Sequence, residues 1–127
     1  MNQQAVNQAF DAHWVSTEDP RLPVLVLSGY GTGAVGATLD TLLQEALGAH
    51  RLYWVVDLGR VPVINAAGLA ALDAVRRSLL TQGGAFALIH IQPIVRRALL
   101  INGDSLGRCC FERYADVQSA WQGHLPR

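Results

Sequence analysis

Three short apolar runs, over residues 22–28, 52–58 and 85–91, are separated by stretches long enough to hold a helix each. A chain that leaves a strand and returns through a helix has crossed over the sheet, so these strands pair in parallel and the helices cover them. The first run has Val24-Leu25-Val26-Leu27 at its centre and is bounded by Pro20, Pro23 and Gly29, the pattern of a strand buried on both faces. Before it, Phe10, Ala12, Trp14 and Ser16 alternate along residues 9–16, which predicts an edge strand with one apolar side.

Between the runs the period changes from two to that of a helix. Leu39, Leu42, Leu43, Ala46 and Leu47 recur at helical spacing, from near Thr38 to near Gly48. Leu69, Leu72, Val75, Leu79 and Leu80 do the same, up to Gln82-Gly83-Gly84, where glycine suits a left-handed C-terminal cap. Pro93 is placed to open a third helix, with Ile94, Val95, Ala98, Leu99 and Ile101 expected inward and Arg96 and Arg97 outward, until Asn102-Gly103 ends it. Residues 109–113 read as a short final strand and 116–121 as a closing helical turn or two.

With 127 residues, half of them hydrophobic, the chain fits one domain with one core, expected over about residues 9–121 with flexible ends. Ten acidic residues balance ten basic ones, all arginine, so no net field favours nucleic acid or an anionic membrane. No apolar run is long enough to span a bilayer, and the polar start Met1-Asn2-Gln3-Gln4 lacks the regions of a signal peptide, so a cytoplasmic location is expected. Cys109 and Cys110 are adjacent, which is awkward for a disulfide, and they read as packing residues beside Phe111. His13, His50, His90 and His124 show no metal spacing, and no G-x-S-x-G elbow is present; no metal, no cofactor and no catalytic residue is expected. His90, at the end of the third run, reads as a hydrogen-bonded residue at the core edge.

Residues 55–69 join a strand, Val55-Val56-Asp57-Leu58, to the small-residue turn Asn65-Ala66-Ala67-Gly68 and the opening of a helix at Leu69. Leu27-Ser28-Gly29 closes the strand before, Gln82-Gly83-Gly84 precedes the strand after, and Pro93-Ile94-Val95-Arg96-Arg97-Ala98-Leu99 is followed by Gly103 and Leu106. In order and spacing these segments resemble the STAS domain, the sulfate-transporter and anti-sigma-factor-antagonist family, over about residues 14–121. The resemblance implies a single α/β domain with a central, mostly parallel sheet of four to five strands packed with helices. It also implies a non-catalytic, protein-binding regulatory module of bacterial signalling and transcription control, with an anti-sigma factor or related kinase-like regulator as partner. The same fold admits a homodimer, or a STAS subunit of a lipid-transport ABC complex whose partner is an ATPase subunit.

In that family the equivalent turn commonly reads Asp-Ser-Ser/Thr-Gly, and its first serine accepts phosphate. Ala66 stands at that position here. A phosphoryl group adds about −1.5 to −2 of charge and disrupts a close-packed interface; alanine cannot carry one and matches unphosphorylated serine in size. Asn65, in place of the common aspartate, is a good helix N-cap. The resemblance places the partner surface at Asn65, Ala66, Ala67 and Gly68, extended by Asp73 and Arg76 on the outward side of the helix. Gly29, Tyr30 and Thr32 of the neighbouring glycine loop complete it. Asp73, Arg76 and Arg77 equally suit a solvated face with intrahelical pairs, and Ser78 and Thr81 are candidate phosphorylation sites on the same helix.

A different reading starts from Gly31-Thr32-Gly33-Ala34-Val35-Gly36, which satisfies G-x-G-x-x-G between a strand and a helix and is followed by Asp57 at the end of the next strand. Gly31, Gly33 and Gly36 would let backbone amides approach a pyrophosphate, and Asp57 would take a ribose hydroxyl. Against this, the helical period begins only near Thr38, and a chain of this length has little room for a second reactant. A loop that tolerates positive φ is the simpler reading.

Overall fold

Residues 10–32, 34–102 and 104–125 are described by a computed structural model. Along the chain come β1 (Asp11–Val15), β2 (Val24–Ser28), α1 (Ala34–Gly48), β3 (Tyr53–Arg60), α2 (Ala66–Thr81), β4 (Ala85–Ile89), α3 (Pro93–Asn102), α4 (Asp104–Gly107) and α5 (Tyr114–Trp121). The sheet runs β1-β2-β3-β4, with β1 antiparallel to β2 and the other pairs parallel, as the crossover argument requires. Expected boundaries move by a few residues: α1 begins at Ala34, because Val35 is buried in line with Leu39, Leu43 and Ala46.

Both crossover helices pack on one face. Leu25 and Leu27 of β2, Trp54, Val56 and Leu58 of β3, and Phe86 and Leu88 of β4 meet Leu39 and Leu43 of α1, Leu69, Leu72, Val75 and Leu79 of α2, and Val95 and Leu99 of α3. The alternate residues, Val24, Val55, Ala87 and Ile89, face the other side, where Leu22, Val117, Trp121 and Leu125 cover them. This period-2 division between two apolar layers is why the strands read as continuous hydrophobic runs. The edge strand turns Phe10, Ala12 and Trp14 toward the helix layer, where Trp14 meets Trp54 edge-on with ring centroids 5.2 Å apart.

Three expectations are corrected. Residues 109–113 form no ladder: one parallel bridge joins Leu88 to Cys110, and the chain then turns because the Arg113 amide donates to the Asp116 carboxylate at the head of α5. Ile94 and Ile101 point outward on α3, which meets the core through the narrow stripe of Val95 and Leu99. Leu80, also expected inward, is 49% exposed. The glycine pair after α2 behaves as expected: Gly83 has φ 85°, the Gly84 amide donates to the Leu79 carbonyl, and a Cβ on Gly84 would stand 2.7 Å from that of Leu52.

Candidate functional site

The turn after β3 is held by backbone bonds to the loop after β2. The Gly29 amide donates to the Arg60 carbonyl, the Gly31 amide to that of Val63, and the Asn65 amide to that of Gly31, at 3.1, 2.9 and 2.8 Å. Two glycines make this weave close enough. A Cβ on Gly68 would fall 2.8 Å from the carbonyl carbon of Gly31, and one on Gly31 would fall 2.7 Å from Cγ1 of Ile64. Gly29 takes φ 107°, left-handed backbone in which a side chain is strained.

On this base α2 begins. Asn65 adopts extended backbone, its side-chain oxygen accepts from the Gly68 amide at 3.0 Å and its carbonyl from the Leu69 amide at 2.9 Å. The amides of Ala66 and Ala67, at the first two helical positions, have no acceptor within the helix. Asn65, Ala66 and Ala67 are exposed, whereas Gly68 is buried and supports them from behind. Tyr30, 59% exposed, Val63, 41% exposed, and the exposed Thr32 flank them on the joined loops. The surface is uncharged, small at the centre and bulkier at the rim. Val63 escaped the sequence reading, since nothing in its neighbourhood shows that the loop turns it outward.

Along α2, at about 100° per residue, Ala66, Ala70, Asp73 and Arg77 share one stripe. Asp73 is held from both sides, its Oδ1 by Arg76 Nε at 2.8 Å and its Oδ2 by Arg77 Nε at 3.2 Å. Arg76 has only 16% of its side chain exposed, so it serves mainly to fix Asp73; Arg77, 67% exposed, presents the outward charge. Ser78 and Thr81 lie on the side facing α1, in a groove of about 400 Å³ with Leu47, Ala74, Arg77 and Gln82.

The glycine loop offers little to a dinucleotide. Gly31 spends its amide and its carbonyl on Val63 and Asn65, and a side chain at Gly36 would meet open space. Gly33 lies outside the described residues. The helix does begin inside the glycine motif, at Ala34, as such a site requires. The carboxylate of Asp57 is engaged at both oxygens, Oδ1 by the Gly59 amide at 2.7 Å and Oδ2 by His90 Nδ1 at 2.9 Å. Gln92 adds a bond from its side-chain amide to the Gly59 carbonyl, so these residues tie the ends of β3 and β4 together. His90 is thus hydrogen-bonded as expected, though exposed and at φ 57°.

Cys109 and Cys110 are half-buried free thiols, each donating to the carbonyl four residues back, and burial pushes both pKa values up. Among the described residues no group of three or more His, Cys, Asp or Glu could hold a metal ion, and no helix is long and apolar enough to cross a membrane.

The family model of the STAS domain matches residues 13–104, and no curated protein sequence matches significantly. Among solved structures, an anti-sigma factor antagonist from Mycobacterium paratuberculosis superposes with a TM-score of 0.73 at 18% identity, over 90% of this chain and 95% of that one. A sulfate transporter family protein from Wolinella succinogenes gives 0.71 at 20% identity, over 84% and 89% of the two chains. The phosphorylated form of SpoIIAA, a Bacillus cell fate determinant, gives 0.64 at 14%, over 88% and 97%. At these identities the likeness is one of fold, and it extends to the four-stranded mixed sheet and its helices.

Proposed function

We propose that this chain, which belongs to the STAS domain family, is a non-catalytic, protein-binding regulatory module that works like an anti-sigma factor antagonist. The observation that carries this reading is the exposed, uncharged head of α2, where Asn65, Ala66 and Ala67 stand outward over the buried Gly68. Tyr30, Val63 and Thr32 form its rim, and Asp73 and Arg77 extend it along the helix. Binding there buries small apolar groups and the ring of Tyr30, while the two open helix amides receive partner acceptors and the charges select the partner.

Ala66 holds the surface in a form like that of a module without phosphate. A hydroxyl is the group a kinase esterifies, and residue 66 has none. The partner that fits is an anti-sigma factor of the kinase-like type. An anti-sigma factor antagonist and SpoIIAA are among the proteins that share this fold, which is compatible with this class, and a sulfate transporter family protein shares it too.

The test is calorimetric titration with the kinase-like anti-sigma factors of the source organism. Saturable binding to one of them, weakened at least about tenfold by Ala66→Glu in a variant with unchanged circular dichroism, is the expected result, a loss of about 1.4 kcal/mol or more. Binding that Ala66→Glu leaves intact places the surface elsewhere. Micromolar binding of NAD(H) or ATP abolished by Gly33→Val overturns the reading in favour of a nucleotide site.

A further inference from the structure

We propose that the outer face of α3 is a second docking surface, for an acidic amphipathic helix of a partner protein. It involves none of residues 29–32 or 63–77 and stands apart from the function proposed above. Ile94, Leu100 and Ile101 are 64%, 74% and 71% exposed, the three most exposed large hydrophobic residues of the described chain. All three lie on one ten-residue helix. Arg96 and Arg97 are both exposed; at about 100° per residue Arg97 lies between the Ile94–Ile101 row and Leu100, and Arg96 lies on the far edge beside Leu100. Among the described residues neither makes an ion pair.

The arrangement within the face selects the occupant. Seven residues are nearly two helical turns, so Ile94 and Ile101 sit one above the other, with Arg97 beside them at mid-height. In a two-fold, antiparallel pairing with a second copy, Ile94 would meet Ile101 of its twin, and Arg97 would meet its own copy at the axis. Like charges would then face each other at the centre of the contact. A helix that presents apolar residues seven apart, with Asp or Glu between them, matches the same two aliphatic contacts and neutralises Arg97. A lipid surface is the poorer match, since the face lacks the aromatic anchors typical of an interfacial helix and offers only a single short apolar strip.

The chain itself supplies a probe of the required chemistry, because its Arg97→Glu variant presents Ile94, a carboxylate and Ile101 on a helix already folded. Labelled wild-type protein is titrated with unlabelled Arg97→Glu protein, and backbone amide shifts are followed. The expected result is saturable shifts centred on the amides of residues 94–101, absent when wild type is titrated with wild type. They weaken about fivefold or more when salt rises from about 50 to about 500 mM, and disappear when Ile94 and Ile101 of the probe are also changed to Asn. Circular dichroism of each variant confirms that the fold survives. Failure of the mixed pair to associate overturns the proposal. So does self-association of the wild type through residues 93–101, which makes the occupant a second copy. Co-sedimentation of wild type with phosphatidylglycerol vesicles, lost on Ile101→Asn, makes it a membrane and overturns the proposal as well.

Discussion

The carbonyl of Gly31 occupies the space that a β-carbon on Gly68 would need, with the carbonyl carbon 2.8 Å from that position. The contact joins the loop after β2 to the first turn of α2, and backbone on both sides leaves neither partner a side chain to move. Gly68→Ala should therefore cost about 2–3 kcal/mol, the upper range for inserting one carbon into a packed site. Urea denaturation at constant m-value measures it. A cost below about 1 kcal/mol would show that the two segments separate easily.

Asn65 caps α2 through its side-chain oxygen. Asn65→Ala should lose about 1 kcal/mol, and Asn65→Asp should keep most of the stability, since a carboxylate makes the same bond and favours the positive end of the helix. Thermal melts of the three proteins give the order.

His50, just past α1, holds φ 55°, and its amide donates to the Leu47 carbonyl. Glycine suits this cap better than any residue with a β-carbon. His50→Gly is expected to stabilise the protein by about 0.5–1 kcal/mol, although most substitutions to glycine do the reverse. Chemical denaturation gives the sign.

If the head of α2 meets a kinase-like anti-sigma factor, Ala66→Ser restores an exposed hydroxyl. Incubation with that factor and ATP should then add one phosphate to the variant, read by intact mass and absent from wild type treated in the same way. No phosphate on the serine variant, with binding retained, would mean that the kinase site does not reach the turn.

Burial raises the pKa of Cys109 and Cys110 and so lowers the thiolate fraction at neutral pH. Iodoacetamide should alkylate them at least about tenfold more slowly in the native protein than in urea at pH 7.5, with the native rate rising as pH increases. Equal rates would mean that the thiols are open.

How far the sequence foretold this molecule depends on what each pattern averages. Runs such as Val24 to Leu27 are apolar at every position because both sheet faces are covered, so the three central strands were legible together with their parallel pairing. The cap at Asn65 and the turn at Gly83 were legible because each residue type has a specific local use. The face of α3 was misread for the opposite reason: Ile94 and Ile101 fit a helical period, but the width of the buried stripe is set by which elements flank the helix. Likewise, Gly31-Thr32-Gly33 looks like a phosphate cradle until Val63 and Asn65 are seen to take both backbone groups of Gly31, partners more than thirty residues away. The outward Val63 and the half-buried Arg76 depend on the same long-range placement.

If the head of α2 is the docking surface proposed above, the methyl group at residue 66 has a regulatory consequence of its own. A turn that no kinase can toggle moves control away from residue 66, either to Ser78 and Thr81 farther along the helix or to supply: how much of the protein is made, how fast it is degraded, and how many competitors share its target. Controlled by supply, a module of this kind behaves as a titrant, and its output scales with copy number.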